Sequence, residues 1–184
     1  MKYSQDWLKK ELTEKKEIDY LFFWGHQPSK DGSIIKTCMS QWWLANFEEN
    51  GIVYKTAEHY MMAGKARLFN DMEIAEKIIG KTSPKDVKDL GRQIKNFDAA
   101  VWDEHKYNIV EQGNYLKFSQ HENLKSFLLQ TKSKVLVEAS PVDPIWGIGL
   151  AEDNNDSKNP SMWKGENLLG FALMEVRDKL NNNE

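Results

Sequence analysis

A succession of helix start signals in the middle of the chain restricts the fold more than any other feature. The signals are, in chain order, Thr56, Asn70 or Asp71, Ser83-Pro84-Lys85-Asp86, Asp98 and Ser119. The third is a capping box with proline at the first helical position, and the others are side chains that accept hydrogen bonds from exposed backbone N–H groups. Together with apolar residues at helical spacing, they predict helices over about 75 residues.

Short apolar runs outside this region predict a small β element. The candidate strands are Asp19–Trp24, Ser33–Met39, the run Trp42-Trp43-Leu44-Ala45-Asn46-Phe47, Ile52-Val53-Tyr54, and Lys134–Glu138. We expect the pieces in the first third to form a small antiparallel sheet, and we expect a helix over 5–17 and a final helix from Glu166 to Leu180. The predicted fold class is therefore mainly α (α+β).

Length and composition predict a single domain. The chain has 184 residues, 40% of them hydrophobic and 29% charged, which suits one core. We expect an N-terminal helical extension over 1–18 and one domain over 19–181. The absence of an apolar run of about 20 residues and the single cysteine, Cys38, predict a cytoplasmic protein with no membrane partner. A net charge of −3 argues against a general nucleic-acid surface, and it leaves a small anionic substrate or a short modified strand.

Several classes of site have no sequence support. The four histidines and Cys38 are scattered without zinc-ligand spacing, so no metal is expected. No phosphate-binding loop and no G-x-S-x-G elbow is present, which argues against nucleotide-triphosphate and serine-hydrolase chemistry.

Glu58 and Lys65 lie on one face of the first predicted helix, about 10 Å apart along its axis. By spacing alone, a solvated helix face is the commoner explanation of such a pair, and a cleft is the alternative. Trp146 lies between Asp143-Pro144 and Gly147, where neither helical nor strand periodicity explains a buried ring. With Glu138 and Asp143 nearby in sequence, this ring suits stacking on a flat base beside carboxylates, and that combination suits cleavage of a base–sugar bond.

An ordered set of motifs resembles the NADAR family, also called YbiA-like. The motifs are Leu44-Ala45-Asn46-Phe47, Ala57-Glu58-His59-Tyr60 through Lys65, Leu90-Gly91-Arg92, Trp102, Lys117-Phe118, Leu136-Val137-Glu138, Asp143 with Trp146-Gly147, Lys164-Gly165-Glu166-Asn167-Leu168-Leu169-Gly170, and Leu173-Met174-Glu175-Val176-Arg177. The resemblance implies a single helix-rich YbiA-like domain and hydrolysis of an N-glycosidic bond between ribose and a base-like amine. The resemblance implies one of two types of substrate, namely riboflavin-pathway ribosylaminopyrimidine phosphates or ADP-ribosylated guanine in nucleic acid.

The resemblance also implies the site. Its candidate catalytic residues are Lys65, Glu58, Glu138 and Asp143, and its candidate substrate-binding residues are Trp146, Arg92, Asn46, His59, Trp102, Gly147 and Asn167. Lys65 is either a neutral nucleophile that forms an imine with the sugar or a charged group that only binds it. Arg92 fits a phosphate contact or a surface salt bridge. Asn167 fits a helix cap or a ribose contact, and Trp102 fits the core or a stacking surface.

The chain departs from the family pattern in four places. Ala57 and Met62 replace a usual Ser and Gln, Ile148 replaces a commonly acidic residue, and the loop Ala151–Trp163 is longer than expected. No cofactor and no stable protein partner is implied. Two other classes of function stay open at this point, namely a non-catalytic module that binds NAD or ADP-ribose and a helical scaffold whose tryptophans only pack.

Overall fold

Side-chain caps start the helices in the middle of the chain where the sequence predicts them. A computed structural model describes residues 1–14 and 17–182. The four helices of this region are α2 (Ala57–Leu68), α3 (Met72–Gly80), α4 (Pro84–Gly91) and α5 (Ala99–Ser119). Their caps are Thr56, Asp71, Ser83 and Asp98, and each side chain accepts a hydrogen bond from a backbone N–H group in the first turn.

The remaining helices lie nearer the ends of the chain. They are α1 (Gln5–Glu14), α6 (Glu122–Gln130) and α7 (Leu168–Asn182). The helix start predicted at Ser119 is wrong, because Ser119 is the last residue of α5 and α6 begins at Glu122. Part of the predicted helix over 5–17 falls on residues 15 and 16, which lie outside the described residues. Within the described ranges, no helix combines the length and apolar character needed to cross a membrane. The mainly helical fold class is confirmed.

The strands differ from the prediction in their pairing. The structure contains β1 (Tyr20–Phe23), β2 (Phe47–Glu49), β3 (Ile52–Tyr54) and β4 (Val135–Glu138). β2 and β3 form the expected antiparallel hairpin, turning at Asn50 and Gly51 with positive φ angles of 53° and 78°. β1 instead pairs in parallel with β4, with Phe23 opposite Glu138.

Two predicted strands differ from the structure. Only Phe47 of the run over residues 42–47 lies in a strand, and the strand predicted at Ser33–Met39 is wrong. Within Ser33–Met39 the structure has a 3-10 helix, Lys36–Met39, and the backbone N–H of Cys38 donates to the carbonyl of Ile35 at 2.9 Å. The side chain of Asp31 accepts hydrogen bonds from both the N–H and the hydroxyl of Ser33, which builds a local turn before this segment. These local hydrogen bonds compete with an extended conformation.

The chain separates into two structural units. The first contains Met1–Ser40 and the chain from Glu122 onwards, and the second is Gln41–His121. In the first unit, α7 packs against β4 and α6, and α1 contacts the 3-10 helix Pro160–Met162. In the second, α2 packs against α3, α4 and α5, beside the hairpin. An N-terminal extension over 1–18 and a single domain over 19–181 stay predictions.

Candidate active site

Helix α2 carries three of the predicted site residues of the second unit, namely Glu58, His59 and Lys65. Glu58 is only 3% exposed, in the first turn of the helix, and its backbone N–H donates to the carbonyl of Gln41 at 2.9 Å. A carboxylate in this position is favoured by the helix dipole. Gln41 is in turn held by the side-chain amide of Asn114 on α5 at 2.7 Å, so Glu58 lies within a buried polar network.

Lys65 lies two turns further along α2, in an aromatic environment. Its Nζ donates to the carbonyl of Gly91 at 3.1 Å and lies 4.2 Å from the ring centroid of Phe97 and 5.5 Å from that of Trp102. Among the described residues of this unit, no carboxylate forms an ion pair with it. Burial lowers the pKa of the Lys65 amine below its ordinary value, because the charged form loses water. A larger fraction of this amine is therefore neutral and nucleophilic than for an exposed lysine.

His59 is fully buried, and both of its ring nitrogens have partners. Nε2 lies 3.1 Å from the carbonyl of Lys81, and Nδ1 lies 2.8 Å from the hydroxyl of Thr56. A carbonyl only accepts, so Nε2 carries the proton and Nδ1 accepts from the hydroxyl. His59 thus joins the cap of α2 to the residue that follows α3, and its predicted contact with substrate stays a prediction.

This arrangement predicts pH-dependent stability. Burial lowers the pKa of His59, with a smaller contribution from the charge of Lys55. The folded state therefore binds a proton less readily than the unfolded state, and stability is lost as pH falls below the unfolded pKa of about 6.5, by at most about 1.4 kcal/mol per pH unit. Urea unfolding between pH 7.5 and 5 measures this slope, which we expect His59→Gln to reduce and His105→Gln on α5 to retain. An unchanged slope in His59→Gln would contradict the assignment.

Two other predicted residues of the second unit, Arg92 and Asn46, lie at its surface. The guanidinium of Arg92 forms an ion pair with Asp89 at 2.7 Å, and its side chain is 69% exposed. This geometry is that of the surface salt bridge considered from the sequence, and a phosphate contact stays a prediction. Asn46 is exposed, and its backbone carbonyl accepts a hydrogen bond from Nε2 of His121 at 2.8 Å.

In the first unit, Asn167 fixes the backbone at Glu138. Asn167 is fully buried, its Oδ1 accepts from the N–H of Glu138 at 2.9 Å, and its Nδ2 donates to the carbonyl of Leu136 at 3.0 Å. Glu138 is partly buried at the carboxyl end of β4. The side chain of Asn167 therefore forms hydrogen bonds with the backbone of β4, the strand that carries the predicted carboxylate of Glu138. A contact between Asn167 and ribose stays a prediction.

The loop after β4 is built by Asp143. Its Oδ1 accepts from the N–H groups of Ile145 at 3.0 Å and Trp146 at 2.9 Å, which turns the chain and leaves Trp146 partly exposed. Gly147 is buried against the end of β4, where a Cβ atom would lie 2.8 Å from the carbonyl oxygen of Glu138. The loop therefore packs against the backbone at Glu138.

Two aromatic residues enter the site description only with the structure. Trp24 follows β1 directly and is 54% exposed, although the sequence predicts a buried strand there. Because ligands commonly bind at the carboxyl ends of parallel strands, Trp24 joins the candidates of its unit. Gly25, with a positive φ of 78°, is the local signal that the strand ends. Phe97 beside Lys65 has no such signal in the sequence.

The structure therefore gathers the predicted residues into two groups, one in each unit. Glu58, Lys65 and Trp102 lie in the packed helices of the second unit, and Glu138, Asp143, Trp146, Gly147 and Asn167 lie around the end of β4 in the first. Among residues 1–14 and 17–182, no group of three or more His, Cys, Asp or Glu side chains is placed to hold a metal ion.

Comparisons with known proteins identify relatives over most of the chain. The NADAR domain model matches residues 22–181. The chain is 45% identical over 165 residues to N-glycosidase R617 of Acanthamoeba polyphaga mimivirus, covering 87% of this chain and 95% of that protein. It is 32% identical over 131 residues to N-glycosidase YbiA of Escherichia coli, covering 71% and 73%. The NMR structure of E. coli YbiA matches with a TM-score of 0.71 and 27% identity, covering 90% of this chain and 86% of that one.

Proposed function

Because the chain belongs to the NADAR family and is an N-glycosidase, a hydrolase of N-glycosyl bonds, we propose that it cleaves the bond between a ribose and a base-like amine. The proposed substrates are a ribosylaminopyrimidine phosphate of the riboflavin pathway and ADP-ribosylated guanine in nucleic acid. The net charge of −3 favours the small metabolite, because a nucleic-acid strand is held largely by positive charge. A cytoplasmic setting and the absence of a stable protein partner stay predictions.

The single observation that carries this proposal is the environment of Lys65. Its amine lies between a backbone carbonyl and two aromatic rings, and burial lowers its pKa. A binding lysine gains from an exposed, fully charged ammonium, whereas a nucleophilic lysine needs a neutral amine at neutral pH. This environment therefore supports the nucleophilic role.

In the first step, the nitrogen of Lys65 attacks C1 of the ribose and forms a C–N bond. The bond between C1 and the base breaks, and the base leaves with its electron pair and takes up a proton from a carboxylic acid. The proton released from the attacking amine passes to a neighbouring base. Opening of the ribose ring then converts the adduct into an imine between C1 and Lys65.

In the second step, water adds to the imine carbon, and the C–N bond to Lys65 breaks. The ribose portion leaves with its aldehyde carbon restored, and the amine regains its hydrogen. The overall reaction consumes one water for each base released, so the atoms balance as in a hydrolysis.

Three carboxylates remain candidates for proton transfer. One oxygen of Asp143 already accepts two backbone hydrogen bonds in its loop, which gives that oxygen a structural role. Glu58, buried on the same helix as Lys65, and Glu138, whose backbone N–H donates to Asn167, are therefore the stronger candidates.

Base release tests the proposal directly. The purified protein is offered a ribosylaminouracil phosphate, an ADP-ribosylated guanine oligonucleotide, NAD and ADP-ribose, and products are separated by chromatography with mass detection. We expect release from one of the first two substrates, with strong loss in Lys65→Ala and Glu58→Ala. The matched controls are Lys88→Ala on α4 and Glu76→Ala on α3, both exposed, which should retain activity.

The pattern of failure is also informative. Release that persists in Lys65→Ala and disappears in Glu138→Gln would replace the lysine mechanism with attack by water activated by a carboxylate. No release from any substrate, together with saturable binding of ADP-ribose by a folded protein, would overturn the proposed substrates and favour a binding module.

A further inference from the structure

Phe97 combines a large exposed surface with a contact to the central amine of the second unit. The ring is 46% exposed, and its centroid lies 4.2 Å from Nζ of Lys65. Trp102 is the more distant ring, at 5.5 Å, and the carbonyl of Gly91 is the hydrogen-bond partner. Leaving an aromatic ring half in water forgoes much of its burial energy, so core packing does not account for this position.

The backbone around Phe97 is held from both sides. Before it, the N–H of Lys95 donates to Oδ2 of Asp71 at 2.9 Å, while the other oxygen of Asp71 caps α3. After it, Asp98 caps α5 by accepting from the N–H groups of two helix residues. The connection between α4 and α5 therefore presents Phe97 from a backbone that is fixed on both sides.

A second ring supports the side chain. Phe69, at the end of α2, is only 7% exposed and meets Phe97 edge to face with centroids 5.3 Å apart. This contact is of the favourable aromatic type, and it restricts the Phe97 ring on the side towards the core. Phe97 is thus supported from within and open to solvent outside.

We propose that Phe97 is a positioning residue that covers the solvent side of the Lys65 amine and aims it within a pocket of two aromatic rings. The proposal rests on the proposed function only in taking Lys65 as the reacting group. Phe97 acts through Lys65 and forms no bond with the reacting atoms.

The ring affects the amine in two opposing ways. Its face attracts the ammonium, which favours the charged form, and its bulk excludes water, which favours the neutral amine. Burial lowers the pKa of Lys65, so we expect exclusion of water to have the larger effect. Ion pairs lie on or beside the helices packed against α2, including Asp89 of α4 with Arg92, which follows that helix, Asp103 with Lys106 on α5, and Glu73 with Lys77 on α3.

Two substitutions of Phe97 separate exclusion of water from the Lys65 amine from attraction of its ammonium by the ring face. Phe97→Leu keeps an apolar cover and removes the attraction between ring and ammonium, whereas Phe97→Ala admits water. Met72→Ala, which removes an exposed apolar side chain from α3, is the control, because Met72 is 55% exposed and the contacts of the Lys65 amine come from Gly91, Phe97 and Trp102. Thermal unfolding of all three proteins checks that each is folded.

The readout is the reactivity of Lys65 itself. Trace acetylation with acetic anhydride from pH 6 to 11, followed by digestion and mass detection of the Lys65 peptide, gives the titration of this amine without any turnover. In Phe97→Ala we expect the pKa of Lys65 to move up towards its ordinary value, with acetylation at pH 7.5 slowed by about threefold or more. In Phe97→Leu and Met72→Ala we expect no upward shift.

A parallel assay of base release completes the test. We expect kcat/KM to fall in Phe97→Ala, with its rise shifted to higher pH, and to stay within about threefold of the native value in Met72→Ala. A titration of Lys65 that is unchanged in Phe97→Ala overturns the proposal. If the titration shifts but Lys65→Ala retains full activity, the positioning role stands and the lysine mechanism fails, so the two failures are distinguishable.

Discussion

Replacement of Lys65 by alanine is expected to reduce kcat/KM for base release by on the order of 10³-fold or more, because the reaction loses its nucleophile. Lys65→Arg is expected to lose activity to a similar extent, since a guanidinium stays charged and cannot form the imine. A lysine that only binds an anionic substrate would behave differently, because arginine would preserve most of that attraction. The pair of variants therefore separates the two roles, measured as base release under saturating and limiting substrate.

Borohydride provides a direct test of the same prediction. Reduction during turnover should convert the imine into a stable secondary amine, detected as a mass increase on the peptide that contains Lys65. Lys88, on the exposed face of α4, should remain unmodified in the same digest and serves as the internal control. Repeated absence of the adduct, under conditions where base is released, would falsify the covalent mechanism.

Replacement of Gly170 by alanine is expected to destabilise the first unit by about 3 kcal/mol or more, or to prevent its folding. A Cβ atom at Gly170 would overlap the carbonyl oxygen of Leu136 and would lie 2.6 Å from the side-chain amide of Asn167. The first of these is backbone in the middle of β4 and cannot move away without displacing the strand. The substitution therefore forces α7 and β4 apart, and urea or thermal unfolding measures the loss.

Gly80 provides the matched control for this prediction. It is the last residue of α3, a Cβ atom added there would meet no neighbouring atom within 4 Å, and its φ is not positive. Gly80→Ala should therefore change the free energy of unfolding by no more than about 1 kcal/mol, and alanine favours the helix. Equal destabilisation by the two substitutions would show that close packing of α7 on β4 is not the cause.

The helices were predictable because their signals are local. Thr56, Asp71, Ser83 and Asp98 each act within one helical turn, so neighbouring residues alone determine where a helix starts. Residues 33–39 have an apolar pattern suited to a strand, but among the described residues they pair with no strand and form a turn and a 3-10 helix. The parallel pairing of β1 with β4 depends on residues far apart in the chain, and no local pattern specifies it.

The sequence predicted which residues belong to the candidate site better than it predicted what surrounds them. Lys65 and Glu58 follow from helical spacing and the family motifs, but the ring of Phe97 over the amine depends on how the connection after α4 returns to α2. For Asn167 the sequence leaves a helix cap or a ribose contact open. In the structure its side chain forms hydrogen bonds with the backbone of β4. Such interactions between distant segments are fixed only by the fold.

The parallel pairing of β1 with β4 has a consequence for synthesis on the ribosome. Because chains emerge N-terminus first and domains fold as units, Gln41–His121 is complete before β4 has been translated. During that interval Tyr20–Phe23 has no strand partner, and its aromatic side chains are available to chaperones or to other nascent chains. The first unit, and not the second, therefore depends for its folding on the last third of the chain to be translated.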